Sequence, residues 1–126
     1  MDYGVQLIGV KSAAGTDIQR KWHFPGKTVK LQAVKLDPNA TSAIHASNYV
    51  DVKVYVGSTQ IGSTRSTNSS TGSAFTANTL ESLDISPVAP SNLEVSSTNR
   101  LKITVTNAAS GVAIDVDYVL TYMELQ

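Results

Sequence analysis

A chain of 126 residues has room for one domain with a sizeable buried core and none for a second. Ten Lys/Arg balance ten Asp/Glu, and 41% hydrophobic against 16% charged residues describes a folded protein with a polar, weakly charged exterior. The even balance removes the broad positive field that nucleic acid requires, and the lack of cysteine excludes a disulfide framework, a thiol nucleophile and a cysteine zinc site.

The opening Met1-Asp2-Tyr3-Gly4 has no basic region followed by an apolar stretch, and no apolar run is long enough to span a bilayer. The expectation is therefore a chain made in a cytoplasm, with no membrane partner. A weak strand is predicted over residues 5–10. Residues 1–12 are a candidate N-terminal arm, of which 2–7 would add to a neighbouring sheet. Ile18, Trp22 and Phe24 share one face, with His23 pointing outward between the aromatics, and Pro25-Gly26 turns the chain. In the run 27–37 that follows, Val29 and Leu31 sit at odd positions but Val34 and Leu36 at even ones. A β-bulge near Ala33 restores the inward face. A short helix or turn fits residues 40–47.

Val50, Val52, Val54 and Val56 alternate without a fault with Asp51, Lys53 and Tyr55, the pattern of a half-buried strand. If Gly57-Ser58 forms a two-residue type II′ turn, Val54 lies opposite Ile61 and Tyr55 opposite Gln60. Residues 63–79, STRSTNSSTGSAFTANT, are low in complexity and read as a long mobile surface loop or a ragged edge strand pinned by Phe75. Weaker strands are predicted over 80–85 and 93–95, joined by an extended Pro-containing linker over 86–90. Leu101, Ile103 and Val105 alternate with Lys102, Thr104 and Thr106. The turn 107–111 then makes a second hairpin with the longest stripe: Val112, Ile114, Val116, Tyr118, Leu120 and Tyr122. About eight strands without a helical period predict an all-β fold, a two-sheet antiparallel sandwich of jelly-roll type.

The other face of that last strand begins with Asp115 and Asp117 and ends with Val119, Met123 and Leu125. A strand that becomes apolar on both sides enters a contact beyond its own sheet. Val119, Met123 and Leu125, with Tyr3 and Val5 of the N-terminal segment, are the candidate oligomer or partner contact. No catalytic or metal-binding constellation accompanies them, and no cofactor is expected. His23 and His45 have no metal-ligand spacing, no serine lies in a G-x-S-x-G elbow, and no glycine-rich phosphate loop is present. Asp115 and Asp117 on one strand lack the opposed geometry a glycosidase needs and read as a solvated acidic face. Lys21, Lys27, Lys30 and Lys35 read as outward strand lysines that protect a sheet. Tyr49 and Tyr55, on the outer face of one strand, are the alternative: a platform on which a sugar would stack.

The run V-x-V-Y-V-G-S-T-x-I-G-S in mid-chain, then R-L-K-I-T-V-T-x-A-x-S-G and V-x-Y-x-L-T-Y at the end, resembles small tailed-phage virion proteins. It is most similar to jelly-roll head decoration, or cement, proteins. The resemblance covers most of the chain from Val50 onward and rests on strand rhythm and turn composition, which tail and fibre domains share. It implies a non-enzymatic homotrimer on the capsid surface of a virion, clamping neighbouring major capsid protein subunits. The alternative is a carbohydrate- or receptor-binding module of a tail or fibre, with Tyr49 and Tyr55 as its platform and Asp115 and Asp117 as polar or calcium partners.

Overall fold

The computed structural model describes residues 3–86 and 89–125. Nine strands make two antiparallel sheets: β1 (Tyr3–Ser12), β2 (Ile18–Trp22), β3 (Thr28–Pro38), β4 (Tyr49–Val56), β5 (Thr59–Ser66), β6 (Glu81–Ser82), β7 (Glu94–Val95), β8 (Leu101–Ala108) and β9 (Ile114–Leu125). One sheet runs β1-β9-β3-β6 with β7 also on β3, and the other runs β2-β8-β4-β5. β6 pairs with Lys35 and Leu36 and β7 with Val29 and Lys30, so the two short strands are the ends of one interrupted edge strand along β3. Counted that way, eight strand positions alternate between the two sheets, with a hairpin among the described residues only at β4–β5, as a jelly roll requires. The second hairpin expected at 107–111 does not form, because that turn carries the chain from β8 in one sheet to β9 in the other.

Alternation dictates the core. Val50, Val52, Val54 and Val56 of β4, Leu101, Ile103 and Val105 of β8, and Ile114, Val116, Tyr118 and Leu120 of β9 are all buried, their alternate neighbours less so. Trp22, Phe24 and Tyr122 close one end, the last two with ring centroids 4.4 Å apart. The bulge in β3 falls where parity demanded it: Leu31 faces Tyr122, Ala33 faces Thr121, and Gln32 is the extra, exposed residue. Val29, Leu31, Val34 and Leu36 therefore all point inward and are buried. The tight turn also forms as expected, with Gly57 at φ 62 and the pairs Val54–Ile61 and Tyr55–Gln60 in register.

Other expectations need correction. Residues 3–12 are no free arm in this chain, because β1 pairs over its whole length with the chain's own β9, from Tyr3–Met123 to Ser12–Ile114. Residues 40–47 form no helix; bridges Ser42–Phe75 and His45–Asn68 hold them in extended and turn conformations. Within 80–85 only Glu81–Ser82 pairs as strand, and Leu93 ends a 3₁₀ turn, Pro90–Leu93. Of the linker 86–90, Pro87 and Val88 lie outside the described residues.

Of the two readings of 63–79, the structure has the second: an edge strand that runs on to Ser66 and a following stretch pinned by the fully buried Phe75. β5 continues to Ser66, after a bulge in which Gly62 takes φ 72 with its Cα packed against the Asp84 backbone. Arg65 then reaches across the stretch 66–81. Its Nε and Nη2 donate to Glu81 Oε2 and Oε1 at 2.8 and 3.0 Å, Nη1 to the Ser66 and Ser73 carbonyls and Nη2 to that of Ala74. The guanidinium carbon lies 4.8 Å from the centre of the Phe75 ring, which is fully buried.

Candidate interaction surfaces

β9 is central in its sheet, between β1 and β3. Its outward residues therefore sit in a row of partners: Val119 opposite Lys35, Met123 opposite Lys30 and Leu125 opposite Thr28 on one side, and Leu7, Val5 and Tyr3 opposite Val119, Thr121 and Met123 on the other. Val119, Met123 and Leu125 are half-buried, and Lys27 Nζ closes this end with a 2.8 Å ion pair to Glu124. The side chains of Tyr3 and Val5 lie outside what is described; their backbones are fixed in β1, the ten-residue edge of the sheet. The register thus brings together the β9 and N-terminal positions singled out from the sequence.

The acidic start of β9 is partnered. Asn39 Nδ2 donates to Asp115 Oδ1 at 3.2 Å and Asp117 Oδ2 at 3.4 Å, and Lys11 Nζ lies 3.9 Å from Asp115. Among the described residues no group of three or more His, Asp or Glu is placed to hold a metal ion. His45 is occupied locally: its Nδ1 accepts the Ser47 and Asn48 N–H groups at 3.0 and 2.8 Å, which puts the ring proton of the neutral form on Nε2. His23 is half-buried just beyond the end of β2.

Tyr49 and Tyr55 do share the outer face of the four-stranded sheet, but at its two ends, about 20 Å apart at the usual rise per strand residue. They cannot grip one sugar ring between them. Tyr49 lines a shallow groove with Asp51, Lys53, Thr64 and Asn68. Over Tyr55 lies the Lys102 ammonium, 4.4 Å from the ring centre, so one face of the ring is already covered. A second groove, of about 480 Å³, opens beside this pair. It is lined by Lys21, Lys102 and Arg100 together with Gly57, Ser58 and the loop 97–99. Sequence reading placed Lys21 with Lys27, Lys30 and Lys35. The strand order instead sets it directly opposite Lys102, a juxtaposition that only the β2–β8 pairing reveals.

Two carboxylates are held well below the ordinary carboxylate range. Asp84 accepts the Ser86 N–H at 2.9 Å, and the Ser63 N–H and hydroxyl at 2.9 and 3.0 Å; Asp17 accepts the Asn107 N–H at 2.7 Å. Both are surface staples between a strand and a loop. Burial alone pushes the Tyr118 phenol above its usual range.

No protein-family model matches the chain, and no curated protein sequence does. Among solved structures it is similar to two from infectious bursal disease virus. One is described as the structure of the Gx strain: 11% identity, TM-score 0.34, 96% of this chain and 32% of that one covered. The other is a VP2 subviral particle: 11% identity, TM-score 0.30, 95% and 33% covered. The chain spans about a third of the length of these proteins. The jelly-roll assignment rests on the order and register of the chain's own strands.

Proposed function

We propose that this chain is a non-enzymatic structural protein of a phage virion, which binds the outer surface of the capsid and stabilises contacts between major capsid subunits. The observation that carries the reading is the outward face of β9, which turns from Asp115 and Asp117 to Val119, Met123 and Leu125 beside the long edge strand β1. A half-buried apolar patch next to an open edge, on an otherwise neutral polar globule, is the surface that symmetric association and strand addition use. The proposed assembly is a homotrimer docked on the shell, where several modest contacts act together.

Light scattering after size-exclusion chromatography should give three times the 13.4 kDa chain mass, and the trimer should bind bare capsids. Met123→Glu places a charge in the proposed contact without entering the core. It should weaken both association and capsid binding with little change in melting temperature, and unchanged behaviour of this variant in both assays would refute the placement. In the competing reading, a carbohydrate-binding tail module, a glycan array should give signals that vanish in Tyr55→Ala.

A further inference from the structure

The groove beside Tyr55 has the chemistry of an anion site. Lys21 and Lys102 are direct cross-strand partners on β2 and β8, both on the outer face, and Arg100 stands just before β8. Like charges directly opposite one another on a sheet oppose folding unless a counter-charge joins them. Among the described residues no carboxylate comes within 4.0 Å of any of the three; the ion pairs present are made by Lys11, Lys27 and Arg65. The groove is also preorganised. Lys102 is held over Tyr55, and Tyr55 and Gln60 continue the same cross-strand row. The floor is tied by Gly57 N–H donating to the Arg100 carbonyl at 2.8 Å. The rim loop is closed by Ser96 N–H to the Asn99 carbonyl at 3.0 Å and by Asn99 N–H to Ser96 Oγ at 3.2 Å. Around the three cations and Gly57 the remaining lining is hydroxyls and an amide, those of Ser58, Ser97, Thr98 and Asn99.

We infer that this groove binds a small anion that also carries hydroxyl groups, a sugar phosphate or a sugar acid, with Lys21, Lys102 and Arg100 on the charge and the hydroxyl and amide groups on the sugar. Guanidinium and ammonium groups supply charge-assisted bonds to either anion. The volume of about 480 Å³ falls within the range of small-molecule sites. The site lies on the sheet opposite the β9 patch, so it stands independently of the capsid role.

Two-dimensional amide NMR of the full chain, titrated separately with glucose 6-phosphate, glucuronate, glucose and inorganic phosphate, tests this. At least one of the two sugar anions should bind with a dissociation constant of about 1 mM or tighter. Shifts should centre on residues 21, 57–58 and 97–102, and neutral glucose should give none. Whichever anion binds more tightly names the source of the charge. Arg100→Gln and Lys21→Gln, both at exposed positions, should keep or raise the melting temperature and each weaken binding about tenfold or more. Silence with both sugar anions, or shifts that persist unchanged in Arg100→Gln, would overturn the site. Inorganic phosphate binding as tightly as glucose 6-phosphate would overturn the sugar half of the assignment.

Discussion

The hairpin β4–β5 and the stretch that follows it, residues 67–80, are adjacent in sequence and fold by opposite means. The hairpin is fixed by parity: one face of β4 is apolar at every second residue, and any slip would turn four valines to water. The stretch 67–80 buries no large apolar side chain except Phe75, its Leu80 being exposed, and is fixed by polar bonds to a single cation and to backbone groups. The buried polar groups in it and against it are partnered: Thr67 Oγ1 accepts the Val50 N–H at 3.0 Å, Ser66 Oγ at the end of β5 accepts that of Asn68, and Ser42 Oγ, bridged to Phe75 through its backbone, donates to the Ala113 carbonyl at 2.8 Å. Burial by pattern tolerates local error, whereas burial by hydrogen bonds fails when one partner is lost.

The largest effect should come from breaking the pattern. Val54 is 3% exposed, and Val54→Asp places a carboxylate among Ile61, Ile103 and the other core residues with no cation to meet it. The cost, on the order of 5 kcal/mol or more, is comparable to the whole stability of a domain this size. Circular dichroism should show an unfolded chain at 25 °C, and a cooperative melt near the wild-type temperature would show that the inward face is misassigned.

Breaking the polar anchor should cost less and act locally. In Arg65→Met the methylene stem is kept and five hydrogen bonds are lost, including both to Glu81. Arg65 and Glu81 side chains are 16% and 30% exposed, so the loss should be about 2 to 3 kcal/mol. Hydrogen exchange should speed up across residues 66–81 while β8 and β9 stay protected. Equal acceleration everywhere would mean that this stretch is part of the global folding unit.

These two outcomes bear on how much could be read from sequence. Strands β3, β4, β8 and β9, the bulge near Ala33 and the turn at Gly57 were legible, because each follows from which residues must avoid water. In 67–80 the Phe75 pin was legible but the Arg65 anchor was not, since Arg65 sits in a Ser/Thr-rich run with no period and its partners lie as far away as Glu81. The same limit hid the basic groove: Lys21, Arg100 and Lys102 meet only through the β2–β8 pairing. The β9 patch was legible because it breaks an alternation within one strand. The place of residues 3–12 as the edge strand beside it depends on a pairing that no local signal encodes.

A smaller effect separates the surface staples from the core. Asp84 links the β5 bulge to residue 86, and its folded-state affinity for protons is depressed. The stability it contributes is fully present above the unfolded carboxylate value of about 4 and is lost as pH falls below it. Wild-type protein should therefore lose melting temperature between about pH 5 and pH 2, and Asp84→Asn should start lower at pH 7 with a shallower acid slope. Asp17, held by Asn107 in the same sense, should keep part of the slope in that variant. An acid profile identical to wild type would show that Asp84 is not a staple.

The smallest effect at neutral pH tests the tolerance of the core directly. Tyr118 is 1% exposed within the apolar stripe of β9, and its Oη has no hydrogen-bond partner among the described residues. Tyr118→Phe removes that hydroxyl and keeps the ring, so the change should lie within about 1 kcal/mol, with either no loss or a gain in stability. The sign is informative because the same deletion in residues 67–80, as in Thr67→Val, would orphan the Val50 N–H and can only destabilise. At high pH the two tyrosine states diverge. Burial raises the folded phenol, so the unfolded chain ionises first and stability falls as pH rises through about 10. Tyr118→Phe should flatten that alkaline decline in a pH series of thermal melts. A clear loss of stability at pH 7 in this variant would mean that the hydroxyl is bonded after all, and that the core is held by the same polar rule as the loop.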